Sequence, residues 1–83
     1  MIFIVLDELK TAEKVVGIKQ LRKALAVGKA KTVFIAEDAD PLLTEPIVRQ
    51  CRESDVTVVF VATMQQLGAA CSIPVPAAAA AMI

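Results

Sequence analysis

Thr32-Val33-Phe34-Ile35-Ala36 and, one helix length later, Thr57-Val58-Val59-Phe60-Val61 are the two stretches whose reading decides the fold. Each is an unbroken β-branched and apolar run, as expected for a strand covered on both faces. Between them, Ile47, Val48 and Cys51 fall on one arc of a helix, with Arg49, Arg52 and Glu53 on the other. Strand, helix and strand in that order form a βαβ unit, which predicts parallel strands joined by a right-handed crossover. Thr44 is the expected N-cap of the helix, with Pro46 in its first turn, where a missing N–H costs little. Glu37-Asp38-Ala39-Asp40-Pro41 cannot continue a central strand and reads as an acidic turn.

Working upstream, Ile4 to Lys14 has roughly helical spacing and predicts a first helix, followed by a very short extended piece at Val15-Val16. Ile18 to Val27 predicts a second helix, closed by Gly28, since glycine readily takes the left-handed conformation that ends helices. Downstream, Thr63-Met64-Gln65-Gln66 has the Thr-x-x-Gln form of a capping box and predicts a short helix through Leu67 to about Cys71. A loop spans Ser72 to Pro76, and Ala77 to Ile83 is expected as the last strand. Alanine favours helix intrinsically, so that strand rests on the preceding prolines and on consistency with the fold.

With 83 residues, 57% of them hydrophobic, residues 1–83 are expected to form one domain with a modest core. Three phenylalanines, and no Trp or Tyr, leave that core to Val, Ile, Leu and Ala. The net charge is zero, which argues against coating nucleic acid through bulk positive charge. The zero conceals an asymmetry: residues 10–31 hold seven bases against Glu13, whereas residues 32–55 hold six acids against Arg49 and Arg52. Cys51 and Cys71 have no histidine or closely spaced thiol beside them and read as reduced, buried side chains of a cytoplasmic protein. Leu67 to Ile83 is apolar but interrupted by Gly68, Pro74 and Pro76, and the run after Pro76 falls far short of the ~20 residues of a membrane-spanning helix. No membrane association is expected. Without histidine, metal motif, phosphate loop or an activated nucleophile, neither catalysis nor a cofactor is expected.

Two segments carry chemistry. In Gly17-Ile18-Lys19-Gln20-Leu21-Arg22-Lys23, the polar residues fall on one arc of the second helix, and Ile18, Leu21, Ala24 and Leu25 fall on the other. Gly17 brings no capping side chain, so the first N–H groups stay open to a phosphate, while Lys19 and Gln20 can donate to the acceptor edge of guanine. The alternative is an ordinary solvated helix face. The second segment is Leu67-Gly68-Ala69-Ala70-Cys71-Ser72-Ile73-Pro74-Val75-Pro76. Ile73 and Val75 can pack on an unstacked base, and Pro74 and Pro76 preorganise the loop; alternatively, the loop folds its own side chains into the core.

Together, Gly17-x-Lys19-Gln20-x-x-Lys23, the acidic turn and Leu67-Gly68-x-Ala70-Cys71 resemble the kink-turn-binding family of small ribosomal proteins. The resemblance is to the L-seven-Ae type, in its bacterial ribosomal-protein-like branch, and covers nearly the whole chain. It implies an α/β fold, a three-layer α/β/α sandwich around a mixed four-stranded sheet, and a non-enzymatic RNA-binding function. The implied target is a kink-turn with a bulge and adjacent sheared G·A pairs, in ribosomal RNA or mRNA, with ribosomal proteins as further partners. By this resemblance, Gly17 allows close backbone approach, Lys19 and Gln20 read guanine edges, and Lys23 supports base edges or phosphates. Ile73, Pro74, Val75 and Pro76 then shelter the extruded nucleotide, and Ala69 stands where relatives often carry Lys. Two other readings remain open on the residues alone. One is a ribosome-associated protein-interaction module without a kink-turn target; the other is a metal or nucleotide site at Glu37, Asp38 and Asp40.

Overall fold

The computed structural model describes residues 13–83, in which strands and helices alternate strictly. The order is β1 (Lys14–Val16), α1 (Ile18–Ala26), β2 (Thr32–Ala36), α2 (Pro41–Glu53), β3 (Thr57–Val61), α3 (Met64–Ala70) and β4 (Ala79–Met82). The helix expected over Ile4 to Lys14 lies outside the described residues except at its end, where Lys14 opens β1 instead of closing a helix. The sheet order is β1-β4-β2-β3. β2 and β3 are parallel, as the βαβ pattern predicts, while β4 runs antiparallel to both β1 and β2. The sheet is therefore mixed.

Side chains of β2 alternate between two cores. Phe34 and Ala36 pack with Leu67, Ala70 and Cys71 under α3, whereas Val33 and Ile35 pack with Leu21, Leu25, Ile47 and Cys51 under α1 and α2. This alternation makes three layers, helices lying on both faces of the sheet. Cys51 and Cys71 are free and buried on opposite sides of it, so the sheet itself keeps the thiols apart. Burial pushes both thiols up from the ordinary value, and the Lys14 charge pulls Cys71 part of the way back.

The last strand is built almost wholly from alanine and lies inside the sheet. Ala80 sits between Val16 of β1 and Phe34 of β2, and Ala81 between Val15 and Val33. Ala79, Ala80 and Ala81 have no exposed surface. Small side chains here leave room for larger neighbours and for helices on both faces, and this packing overrides alanine's helical preference.

Two expectations in the βαβ unit need correction. Asp40, not Thr44, caps α2: its carboxylate accepts the Leu42 N–H at 3.0 Å, and Pro41 occupies the first helical position. The decisive signal was the Asp-Pro pair, which combines a capping side chain with a residue that needs no N–H partner. Thr44 is buried one turn further on, and Pro46 lies inside the helix rather than in its first turn. Second, β3 is not covered on both faces. It is an edge strand, with Thr57 exposed and Phe60 55% exposed. An apolar run cannot by itself distinguish a central strand from an edge.

The three helices of the described residues stop in the same way, with a residue at positive φ followed by a hydrogen bond back to the last turn. Gly28 (φ +73°) precedes the Lys29 N–H that donates to the Ala24 carbonyl at 2.9 Å. Asp55 and Ser72 hold the equivalent places, with Val56 donating to Cys51 at 2.9 Å and Ile73 to Gly68 at 3.1 Å. At Gly68 the constraint is space. A Cβ there would collide with the Val75 carbonyl oxygen and stand 3.2 Å from the Pro76 Cα.

Both packing features have measurable consequences. Ala80→Leu should lower unfolding free energy by about 1–3 kcal/mol in chemical denaturation, because the fully buried Ala80 lies between Val16 and Phe34 and a larger side chain must displace its neighbours; unchanged stability would contradict the tight central strand. Gly68→Ala should cost about 1–3 kcal/mol and shift the amide resonances of residues 73–77, since the loop must give way. Loop resonances that stay in place would show that the contact is not limiting.

Candidate nucleic-acid interface

β1 runs antiparallel to β4, and β4 antiparallel to β2, so β1 points the same way as β2 and β3. The carboxyl ends of β1, β2 and β3 therefore share one end of the sheet, and each leads into a helix there. This rim gathers three helix N-termini and the loop that enters β4. Ligands of open α/β sheets characteristically bind at such strand ends.

The three helix starts differ in what satisfies them. At α2, Asp40 accepts from Leu42. At α3, the Thr63 hydroxyl accepts the Gln66 N–H at 3.0 Å, which is the threonine half of the expected capping box. Asp38 also reaches α3 from the turn after β2, its Oδ1 accepting the Met64 N–H at 2.7 Å. Asp38 and Asp40 thus have structural roles as helix caps, a use of the acidic turn that requires no metal. Among the described residues, no group of three or more acidic, Cys or His side chains is arranged to hold a metal ion.

At α1 the position before the helix is Gly17, with no side-chain cap and no acidic residue in the first turn. Its φ of 102° and ψ of 153° lie in a region open essentially to glycine alone. Lys19 adds a positive charge to an end that is already positive through the helix dipole. Of the helix starts on this rim, α1 is the one prepared for an anion or an electron-rich base edge.

The expected outward arc is borne out in position. Lys19, Gln20, Arg22 and Lys23 are exposed, and Leu21, Ala24 and Leu25 are buried. Ile18, Lys19, Arg22, Lys23 and Ala26 line one shallow depression, while Gln20 and Lys23 border another with Val15 and Lys29. Lys23 belongs to both. Arg22 was not singled out among the candidate residues, although its place three residues after Lys19 puts it on the same face.

The loop divides its side chains between core and solvent. Ile73 is half-buried against the α3-side core, whereas Pro74, Val75 and Pro76 are exposed, Val75 at 57%. Gln65 and Ala69, one turn apart on α3, complete a pocket with Ile73, Pro74, Val75 and Pro76. Their i, i+4 spacing on the outer face of α3 was the available signal for including them. Ala69 makes this wall neutral.

A short set of backbone bonds links the two segments. Gly17 N–H donates to the Ala79 carbonyl at 2.9 Å, and Ala36 N–H donates to the Ala78 carbonyl at 3.0 Å. The start of α1 is therefore fastened to the strand entered directly from the proline loop. The structure brings Gly17 and the lysine-bearing turn to the same rim as Ile73 through Pro76, with β4 as the rigid connection.

Relatives extend over the same architecture. An RNA-binding protein of Geobacillus sp. (strain WCH70) is 45% identical over 75 residues, spanning 90% of this chain and 92% of its own. The RNA-binding protein YbxF of Geobacillus stearothermophilus is 41% identical over 75 residues, with the same coverage. The solved 15.5kD RNA binding protein of Giardia lamblia shares the fold at a TM-score of 0.85 and 31% identity, over 93% of this chain and 68% of that one. Residues 2–83 match the profile of one protein family as a whole. The chain belongs to the ribosomal protein L7Ae/L30e/S12e/Gadd45 family.

Proposed function

We propose that this protein binds RNA, and that its target is a kink-turn: a sharply bent helix with a bulge and adjacent sheared G·A pairs. The observation that carries this reading is the meeting of an open, lysine-bearing helix start with an exposed proline loop on one rim, joined by the Gly17 to Ala79 hydrogen bond of 2.9 Å. Family membership and the RNA-binding relatives support it.

A regular A-form helix keeps its base edges in a deep, narrow major groove that side chains cannot read. A sharp bend opens that groove to a helix terminus. Lys19 and Gln20 then donate to guanine acceptors, and Gly17 lets the backbone come close. Lys23, one turn along, supports a base edge or a phosphate. Ile73 and Val75 cover the extruded nucleotide, while Pro74 and Pro76 reduce the entropy lost in ordering the loop.

Glu37, Asp38 and Asp40 stand on the same rim and repel phosphates, which confines the RNA to the side of α1 and the loop. Because the protein contacts the bent RNA better than the extended form, binding shifts the RNA toward the bend. No bond is made or broken. Ribosomal RNA and mRNA both supply such structures, and a cytoplasmic, non-enzymatic ribonucleoprotein role follows from this reading.

Titration of RNA-free protein with a kink-turn RNA, and with a variant lacking the G·A pairs, provides the test. Lys19→Ala and Gln20→Ala should each weaken binding to the kink-turn by about 1–3 kcal/mol while barely changing binding to an ordinary duplex. Equal losses on both RNAs would defeat the base-reading role. Lys23→Ala should lower the slope of log affinity against log salt by about one if its partner is a phosphate. Failure to bind either RNA would favour a ribosome-associated protein partner instead.

A further inference from the structure

We propose that Asp38 is the positioning residue for the apolar half of the rim, holding the Ile73 to Pro76 loop where it receives the extruded nucleotide. The nucleotide's place there rests on the function proposed above. The bond that fixes the loop is independent of it.

Asp38 is exposed and has no place among the recognition residues, yet its carboxylate accepts from Met64 N–H at 2.7 Å across 26 positions of sequence. The carbonyl of the same Met64 accepts the Ala77 N–H at 3.0 Å. One residue thus takes the Asp38 carboxylate on its N–H and the exit of the proline loop on its carbonyl. Thr63, the local cap, is engaged with the Gln66 N–H, so the first amide of α3 is served from the turn after β2. An ionised acceptor at a helix N-terminus makes a strong, charge-assisted bond.

The other ends of this chain of contacts are firm. The turn carrying Asp38 is held by Ala39 N–H donating to Ala36 at 3.2 Å, by the buried Ala39 side chain and by the Asp40 cap on α2. The loop entrance is held by Ile73 N–H on the Gly68 carbonyl at 3.1 Å, and its middle by Val75 lying against Gly68. The loop is therefore fixed to α3, and Asp38 fixes the start of α3 to the sheet that carries α1. Without that bond, the first turn of the seven-residue helix loses its hydrogen bond to the turn after β2 and keeps the packing of Met64 against the core that includes Phe34 and Ala36.

Substitution separates positioning from simple charge. Asp38→Ala removes the acceptor and Asp38→Asn retains one, while both remove a negative charge that repels RNA. A purely electrostatic role predicts tighter binding by both variants on every RNA. Positioning predicts that Asp38→Ala weakens binding to an intact kink-turn by about tenfold, with little change when the bulged base is replaced by an abasic residue. Asp38→Asn should stay at or above the wild-type affinity.

Hydrogen–deuterium exchange on the free proteins tests the bond without RNA. The Met64 and Ala77 amides should exchange faster in Asp38→Ala than in Asp38→Asn, with the Leu21 and Phe34 amides unchanged in both. Unchanged exchange at Ala77 in Asp38→Ala would overturn the positioning role, as would equal weakening on intact and abasic RNA. If wild-type protein does not distinguish those RNAs, the loop does not receive the extruded base, and the exchange result still decides whether Asp38 fixes the loop.

Discussion

The structure depends on a strand that has almost no side chains. β4 arrives last in the described chain yet lies between β1 and β2, and its three alanines are fully buried. Large residues at these positions would crowd Val16, Phe34 and Val33 together with the helices above and below. Because β4 is central, its first residues also anchor the rim. Ala78 and Ala79 accept hydrogen bonds from Ala36 and Gly17, which fastens the proline loop beside the beginning of α1. The same tight packing that holds the layers together thus joins the two halves of the candidate interface.

Division of labour on the rim follows from how each helix start is satisfied. Three helices direct the positive ends of their dipoles to one end of the sheet. Asp40 caps one, Thr63 and Asp38 cap another, and Gly17 leaves the third without a side chain. Acids therefore flank a site that is itself basic. In a chain of zero net charge, this places local attraction at the start of α1, where Lys19, Arg22 and Lys23 are exposed.

Much of this was legible in the residues. The βαβ unit, the outward arc of α1, the Gly28 stop and the threonine half of the capping box follow from local pattern and appear in the structure, as does the final strand, which rested on the preceding prolines and on consistency with the fold. The start of α2 was misplaced because Thr44 and Asp40 are both good caps, and only the pairing of Asp40 with Pro41 distinguishes them. The exposed face of β3 was not legible, since strand order depends on partners remote in sequence. Nor could local pattern reveal that Asp38 reaches Met64, or that Gly68 is required by the backbone of Val75 and Pro76. The lysines of the candidate interface could be named from sequence, while the groups that hold its apolar half required the fold.

The central claim is that the open start of α1 and the proline loop act as one surface. Amide and methyl chemical-shift mapping during titration with a kink-turn RNA tests it most directly. The account predicts that the amides of Ile18, Lys19 and Gln20 and the methyl groups of Ile73 and Val75 shift together, with one dependence on RNA concentration. Shifts confined to one of the two segments, or centred on Phe60 and the β3 edge, would contradict it.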